Sequence, residues 1–239
     1  MPGVMIGSTP VTWERMSRAS GIVAASLAII GILISGTTYP HADASAQQIT
    51  SYYDSNHNRL MLTFLVLSAS VTFFFWFLGA IVSALREAGM GGWAATSAAF
   101  GAVRAAFLFA HIAIVGGLAY KIADSGSSDV ILAFQNLQWA IRVTSLFPIA
   151  GLVFATAVGF WRARLVPAWF GVGFMIGGLL VWLGATTFAH SGFWAPDGAY
   201  GFFAIAVALA WMFTMSALLL RLEPTTEQAP VRAATSAVR

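Results

Sequence analysis

At 239 residues the chain has the length of one or two soluble domains, but 59% of it is apolar, only 9% is charged and the mean hydropathy is +0.80. A soluble domain carries roughly 25% charged residues, so this composition cannot cover a water-facing surface and specifies a polytopic membrane protein. The formal charge of +3 comes from arginines scattered at the ends of apolar runs, which excludes a nucleic-acid footprint, and the absence of cysteine excludes disulfides, thiolate metal sites and iron–sulfur clusters.

Residues 1–19 read as a short leading segment, with Arg15 and Arg18 just before the first apolar run, about 21–36. Ala44-Ser45-Ala46 has the small-x-small form of a signal-peptide cleavage site, but it lies too far beyond that run, so an uncleaved first span is expected. From His41 to Asn58 the chain is polar. Asp43 is placed to cap a short interfacial helix whose apolar face is Ile49, Tyr52 and Tyr53, with the tyrosines at headgroup level. A tyrosine-lined lid over a site is the sharper version of the same pattern.

The second span is expected over about 60–85. Its block Phe73 to Phe77 covers every face of a helix, which suits lipid and core packing rather than a cofactor box. Gly89 to Gly92 then predict a tight turn. The third span, about 98–120, carries Arg104 and His111 on one face. The fourth, about 143–161, is entered by a stripe of Gln135, Gln138 and Arg142 with Ser145 just inside it, spaced three, four and three residues apart and ending one turn before Pro148. The fifth, about 168–188, contains Gly173-x-x-x-Gly177 followed by Gly178, a pattern that lets helix backbones approach and is read as packing within the bundle. A turn from His190 to Ala199 leads into the sixth span, about 200–220, and the polar tail 222–239 is expected to be disordered.

Residues 20–221 therefore form an all-α transmembrane domain of six helices. Six spans place eight arginines (Arg15, Arg18, Arg86, Arg162, Arg164, Arg221, Arg232 and Arg239) on the side of the termini, against Arg59, Lys121 and Arg142 on the other. By the positive-inside rule both termini are cytoplasmic.

No Asp or Glu lies within the apolar spans, which argues against a proton- or sodium-coupled transporter and against an intramembrane aspartyl protease. Zinc-protease, nucleophile-elbow and P-loop motifs are missing, and no cofactor or metal is implied. Arg104 is expected to snorkel to the cytoplasmic surface, the alternative being that it turns inward to a polar ligand or a headgroup phosphate. His111 is too deep to snorkel and is expected to bond a hydroxyl or carbonyl on a neighbouring helix. Arg142 is expected to pin the loops by pairing with Asp197 or Asp54. The alternative is that it holds an anionic or carbonyl-bearing molecule at the outer mouth. The candidate polar positions are thus Arg104, His111, Gln135, Gln138, Arg142, Ser145 and His190. The two arginines are assigned to opposite sides, with His111 alone deep enough to connect them.

Several short motifs carry a resemblance. They are Asp43-Ala44-Ser45-Ala46 through Ile49, Tyr52-Tyr53 and Asn56 to Arg59 before a Phe/Trp-rich span, Phe147-Pro148, and Leu165-Val166-Pro167-Ala168-Trp169-Phe170-Gly171. Over about Gly21 to Phe188 the chain resembles small bacterial multi-pass membrane proteins of an uncharacterised domain-of-unknown-function family, although Ala168 stands where a basic residue is expected. The resemblance implies a helical bundle and brings no catalytic residues with it. The reading that follows is a non-catalytic protein of the bacterial cytoplasmic membrane that contacts the lipid bilayer and binds a lipid or small apolar molecule between its helices. A homo-oligomer or a larger membrane complex is compatible with it. The alternative is a small-solute transporter or channel, with Gln138, Arg142, His111 and Arg104 on one path. A third reading is an intramembrane enzyme using His111 and an arginine.

Overall fold

The structure, a computed structural model, describes residues 9–36, 39–123 and 126–222. The first eight residues and the tail from Glu223 lie outside the described residues, so the expectation of a disordered tail does not meet the structure. The described residues are helical with no strand: α1 (Thr9–Ser35), α2 (Ala46–Ser55), α3 (His57–Glu87), α4 (Gly91–Gly117), α5 (Ser128–Thr144), α6 (Leu146–Arg162), α7 (Ala168–Gly184) and α8 (Ala199–Arg221). A π-helical turn, Leu118–Ile122, prolongs α4. Helices are what a bilayer demands, because lipid offers backbone N–H and C=O groups no partner.

Five runs have the length and hydropathy to cross a membrane: Trp13–Ser35, His57–Glu87, Gly91–Ile122, Ser128–Arg162 and Ala199–Arg221. α7 is apolar but only 17 residues long. It stops at Gly184 rather than Phe188, because Thr186 and Thr187 turn back onto the Leu183 and Gly184 carbonyls. The run Ser128–Arg162 is likewise broken where the sequence suggested a single span from Val143. Pro148 has no N–H to give its preceding turn, and the helix is interrupted at Ser145, between α5 and α6.

Helix ends follow their local chemistry. Ser45, not Asp43, caps α2: its side chain accepts from the Gln48 N–H, and the Gln48 side chain returns to the Ser45 N–H, completing a capping box. α3 closes in a Schellman turn, with Met90 N–H donating to Leu85 O at 2.8 Å and Gly89 at a φ of 74°. α6 ends the same way, except that Arg164 occupies the left-handed position at a φ of 58°.

α1 packs along α3 and, at its beginning, against the end of α8. Arg18 is buried there, not free at a membrane face. Its guanidinium donates to the Leu219 carbonyl at 3.1 Å, to Leu222 O and to Glu14, while the Ser216 hydroxyl donates to Arg18 O. These bonds satisfy carbonyls that a helix C-terminus leaves open. At this end the interior is closed by Ala24, Ala25, Phe77, Ile81, Met215 and Leu219, all fully buried.

The opposite end is covered by α2. Ile49, Tyr52 and Tyr53 are buried as the apolar face predicted, and they pack with Leu60, Leu118 and Ile131 beneath the helix. The glycine motif of α7 behaves only in part as its spacing suggested. A Cβ on Gly178 would meet Phe154 of α6 at 3.1 Å and one on Gly177 would meet Val207 of α8 at 3.6 Å, but Gly173 faces nothing within 4 Å. The closest helix approach lies elsewhere on α7, at Gly184, where an added Cβ would stand 2.5 Å from Cβ of Ala204.

Candidate ligand site within the bundle

Between α1, α3, α4, the α5–α6 break and α8 lies a cavity of about 580 Å³, within the usual range of small-molecule sites, roughly 300–1,000 Å³. Its wall is two-sided. α1, α3 and α8 supply mainly apolar side chains, among them Ile32, Leu67, Val71, Phe74, Leu209 and Met212. α4 and α5 supply Arg104, His111, Gln138 and Arg142 beside the apolar Leu108, Ile112 and Val115, with Ser145 at the break. Phe77 and Met215, one turn beyond Phe74 and Met212, close the floor. At the α2 end the lining residues Ile32 and Leu33 of α1 and Phe202 of α8 are exposed, so the cavity meets the exterior there.

The sequence placed Arg104 on a course to the surface; it turns inward instead. Its guanidinium donates to the Ser145 carbonyl at 3.0 Å and to the Ser145 hydroxyl, filling the interrupted turn ahead of Pro148. The Ser145 hydroxyl in turn donates to Arg142 O at 2.6 Å. Both arginines therefore serve one cavity, contrary to their assignment to opposite sides. His111 bonds a neighbouring helix as expected: its Nδ1–H donates to the Gln138 carbonyl at 3.3 Å, which leaves Nε2 as the acceptor of the neutral ring.

Arg142 does not form the loop ion pair expected of it. Its guanidinium lies 4.7 Å from the ring centres of both Trp139 and Phe202, held by cation–π contacts, and among the described residues it makes no ion pair or hydrogen bond. Asp197 accepts instead from His41 Nδ1 at 2.6 Å, and the pair joins the segment after α1 to the segment before α8 at the cavity mouth. Tyr39 also lines the mouth and shares a 2.8 Å hydroxyl hydrogen bond with Tyr53, while the Tyr52 hydroxyl donates to Ser35 O at 3.0 Å. Burial pushes the phenols of Tyr39, Tyr53 and Tyr52 above the ordinary tyrosine value.

Gln138 is 1% exposed, and neither its amide nitrogen nor its amide oxygen has a partner. The neighbouring Trp139 indole N–H is also buried and unpaired. Of the other candidates, Gln135 is buried but outside the cavity, its amide nitrogen donating to Pro40 O at 3.4 Å. His190 is exposed in the α7–α8 connection and does not line the site. Among the described residues no three His, Cys, Asp or Glu side chains gather as metal ligands.

Sequence reasoning missed the apolar wall, the His41–Asp197 bond and the Tyr39 position, since all three join segments far apart in the chain. In comparisons with known proteins, the chain matches no family model, no curated protein and no solved structure.

Proposed function

We propose that the chain is a six-span protein of a bacterial cytoplasmic membrane, both termini inside, that holds a lipid or other small, largely apolar molecule with a polar head in its cavity. The start of α1 against the end of α8 supports an even number of crossings. Five runs have the length for it, and α7, at the short end of the roughly 17–25 residues a span requires, supplies the sixth. The arginine excess beside the termini supports the orientation, and the short-motif resemblance supports the bacterial setting.

One observation carries the binding reading. The cavity, closed below and open at the α2 end, is mainly apolar on α1, α3 and α8 and gathers its charged and amide side chains on α4 and α5. That division matches an amphiphile. Along α4 the polar wall runs from His111 to Arg104, about 10 Å at 1.5 Å per residue. This run also favours a second reading, passage of a small solute, which requires another state in which the Phe77–Met215 floor parts.

Native mass spectrometry of the full chain, released from membranes in a mild detergent, tests the proposal. A retained lipid-like mass is expected, and it should be lost in Val71→Trp, which fills the cavity, provided the variant's helical circular dichroism is unchanged. Wild-type protein emerging bare from several detergents would refute it.

A further inference from the structure

We infer that the head of the bound molecule is a single negative charge, a carboxylate, and that the ligand is therefore a long-chain monocarboxylate seated on Arg142 with its tail along α1, α3 and α8. This rests on the binding reading above and adds to it the chemical class of the ligand.

The charge of the wall is the first ground. Two guanidinium groups, Arg104 and Arg142, line the cavity, and among the described residues Asp197 is the only carboxylate lining it. Asp197 is engaged by His41, and neither arginine has a carboxylate within ion-pair distance among the described residues. Counted formally from its arginines and its carboxylate alone, the lining is left with one positive charge. An arginine at this depth is costly unless something compensates it, and a monoanion does so with no surplus.

The balance of donors is the second ground. Arg104 has acceptors in Ser145. Arg142 has two aromatic faces and, beyond ion-pair distance, the charge of Asp197, and among the described residues its N–H groups make no hydrogen bond. Beside it lie the unpaired Trp139 indole N–H and the unpaired Gln138 amide. The free donors here, the Arg142 guanidinium, the Trp139 indole N–H and Gln138 Nε2, outnumber the free acceptors, Gln138 Oε1 and His111 Nε2, and a carboxylate, which only accepts, complements such a wall. The guanidinium fork suits it by pairing both carboxylate oxygens at once.

The position of the opening is the third ground. Leu33 is 72% exposed and Phe202 49%, and both line the cavity at its α2 end. Apolar residues at a cavity rim leave an acyl chain in contact with lipid as its head moves towards Arg142, so the tail is never transferred through water.

Equilibrium binding of radiolabelled oleate to the full chain in nanodiscs tests the inference, with oleyl alcohol and inorganic phosphate as competitors. Oleate is expected to bind at least about tenfold more tightly than oleyl alcohol, or about 1.4 kcal/mol. Arg142→Gln should abolish that preference, and Arg142→Lys should keep part of it. Equal affinity for acid and alcohol in the wild type, or an unchanged preference in folded Arg142→Gln, overturns the carboxylate assignment and leaves the binding reading standing. If neither ligand binds, both fall. Displacement of oleate by an equal concentration of inorganic phosphate would assign a free anion and overturn the acyl ligand. Should Arg142→Gln fail to fold, the wild-type comparison of acid with alcohol still decides the matter.

Discussion

Gln138 offers a sharp test of the site, because the structure makes it a liability for folding. Its side chain is 1% exposed and both amide atoms lack partners. A buried polar group left unpaired costs about 1–3 kcal/mol. Gln138→Leu keeps roughly the same volume and a similar helix propensity while removing that cost, so the ligand-free protein should gain about 1–3 kcal/mol. For a chain of this size each kcal/mol corresponds to roughly 2–4 °C in melting temperature. The assay is thermal unfolding by circular dichroism in one detergent, after exhaustive delipidation of wild type and variant. The same variant should retain less co-purifying ligand, since stability at this position is given up for a polar contact. A lower melting temperature for delipidated Gln138→Leu would refute the reasoning, for it would mean that the amide has a stabilising partner in the folded protein.

Two further outcomes follow from packing and burial. Gly184→Ala should cost about 1–3 kcal/mol, because the new Cβ meets the backbone-fixed Cβ of Ala204 at 2.5 Å, whereas Gly173→Ala meets nothing and should be neutral or stabilising by up to about 1 kcal/mol; equal losses in the two variants would refute the packing. In an alkaline titration followed by phenolate absorbance, Tyr39 and Tyr53 should remain protonated in the folded protein above the ordinary value of about 10 and ionise on unfolding. Since their folded pKa is raised, the unfolded chain binds fewer protons above that pH, so stability should fall as pH rises from about 10 upward; stability that stays flat there would contradict their burial.

Much of the architecture is legible in the composition and in run lengths. A chain with so little charge must reside in lipid, and lipid permits it helices because every backbone group has to find its partner within the chain. Periodicity likewise places Gln138, Arg142 and Ser145 on one stripe, and the structure puts all three on the cavity wall. Ile49, Tyr52 and Tyr53 were readable as a buried face for the same reason, since the helical repeat is a local property.

What periodicity does not contain is the neighbour that a stripe will meet, or its depth. The apolar run beginning at Val143 made Arg142 look like a residue at the rim of a span. α5 in fact begins at Ser128, so Ser145 lies about 26 Å along from its start, close to the level of Arg104, the middle residue of α4. Two arginines that appear to belong to opposite faces of the membrane thereby come to share one cavity, because Arg104 donates to the Ser145 carbonyl at the break, beside the turn that carries Arg142. The sequence by itself determined a helical membrane bundle and the polar stripe, both of which depend on solvent and on the local repeat. Only the tertiary structure decided that the stripe faces an apolar-walled cavity, because the opposing wall comes from α1, α3 and α8, brought together by packing that no local signal encodes.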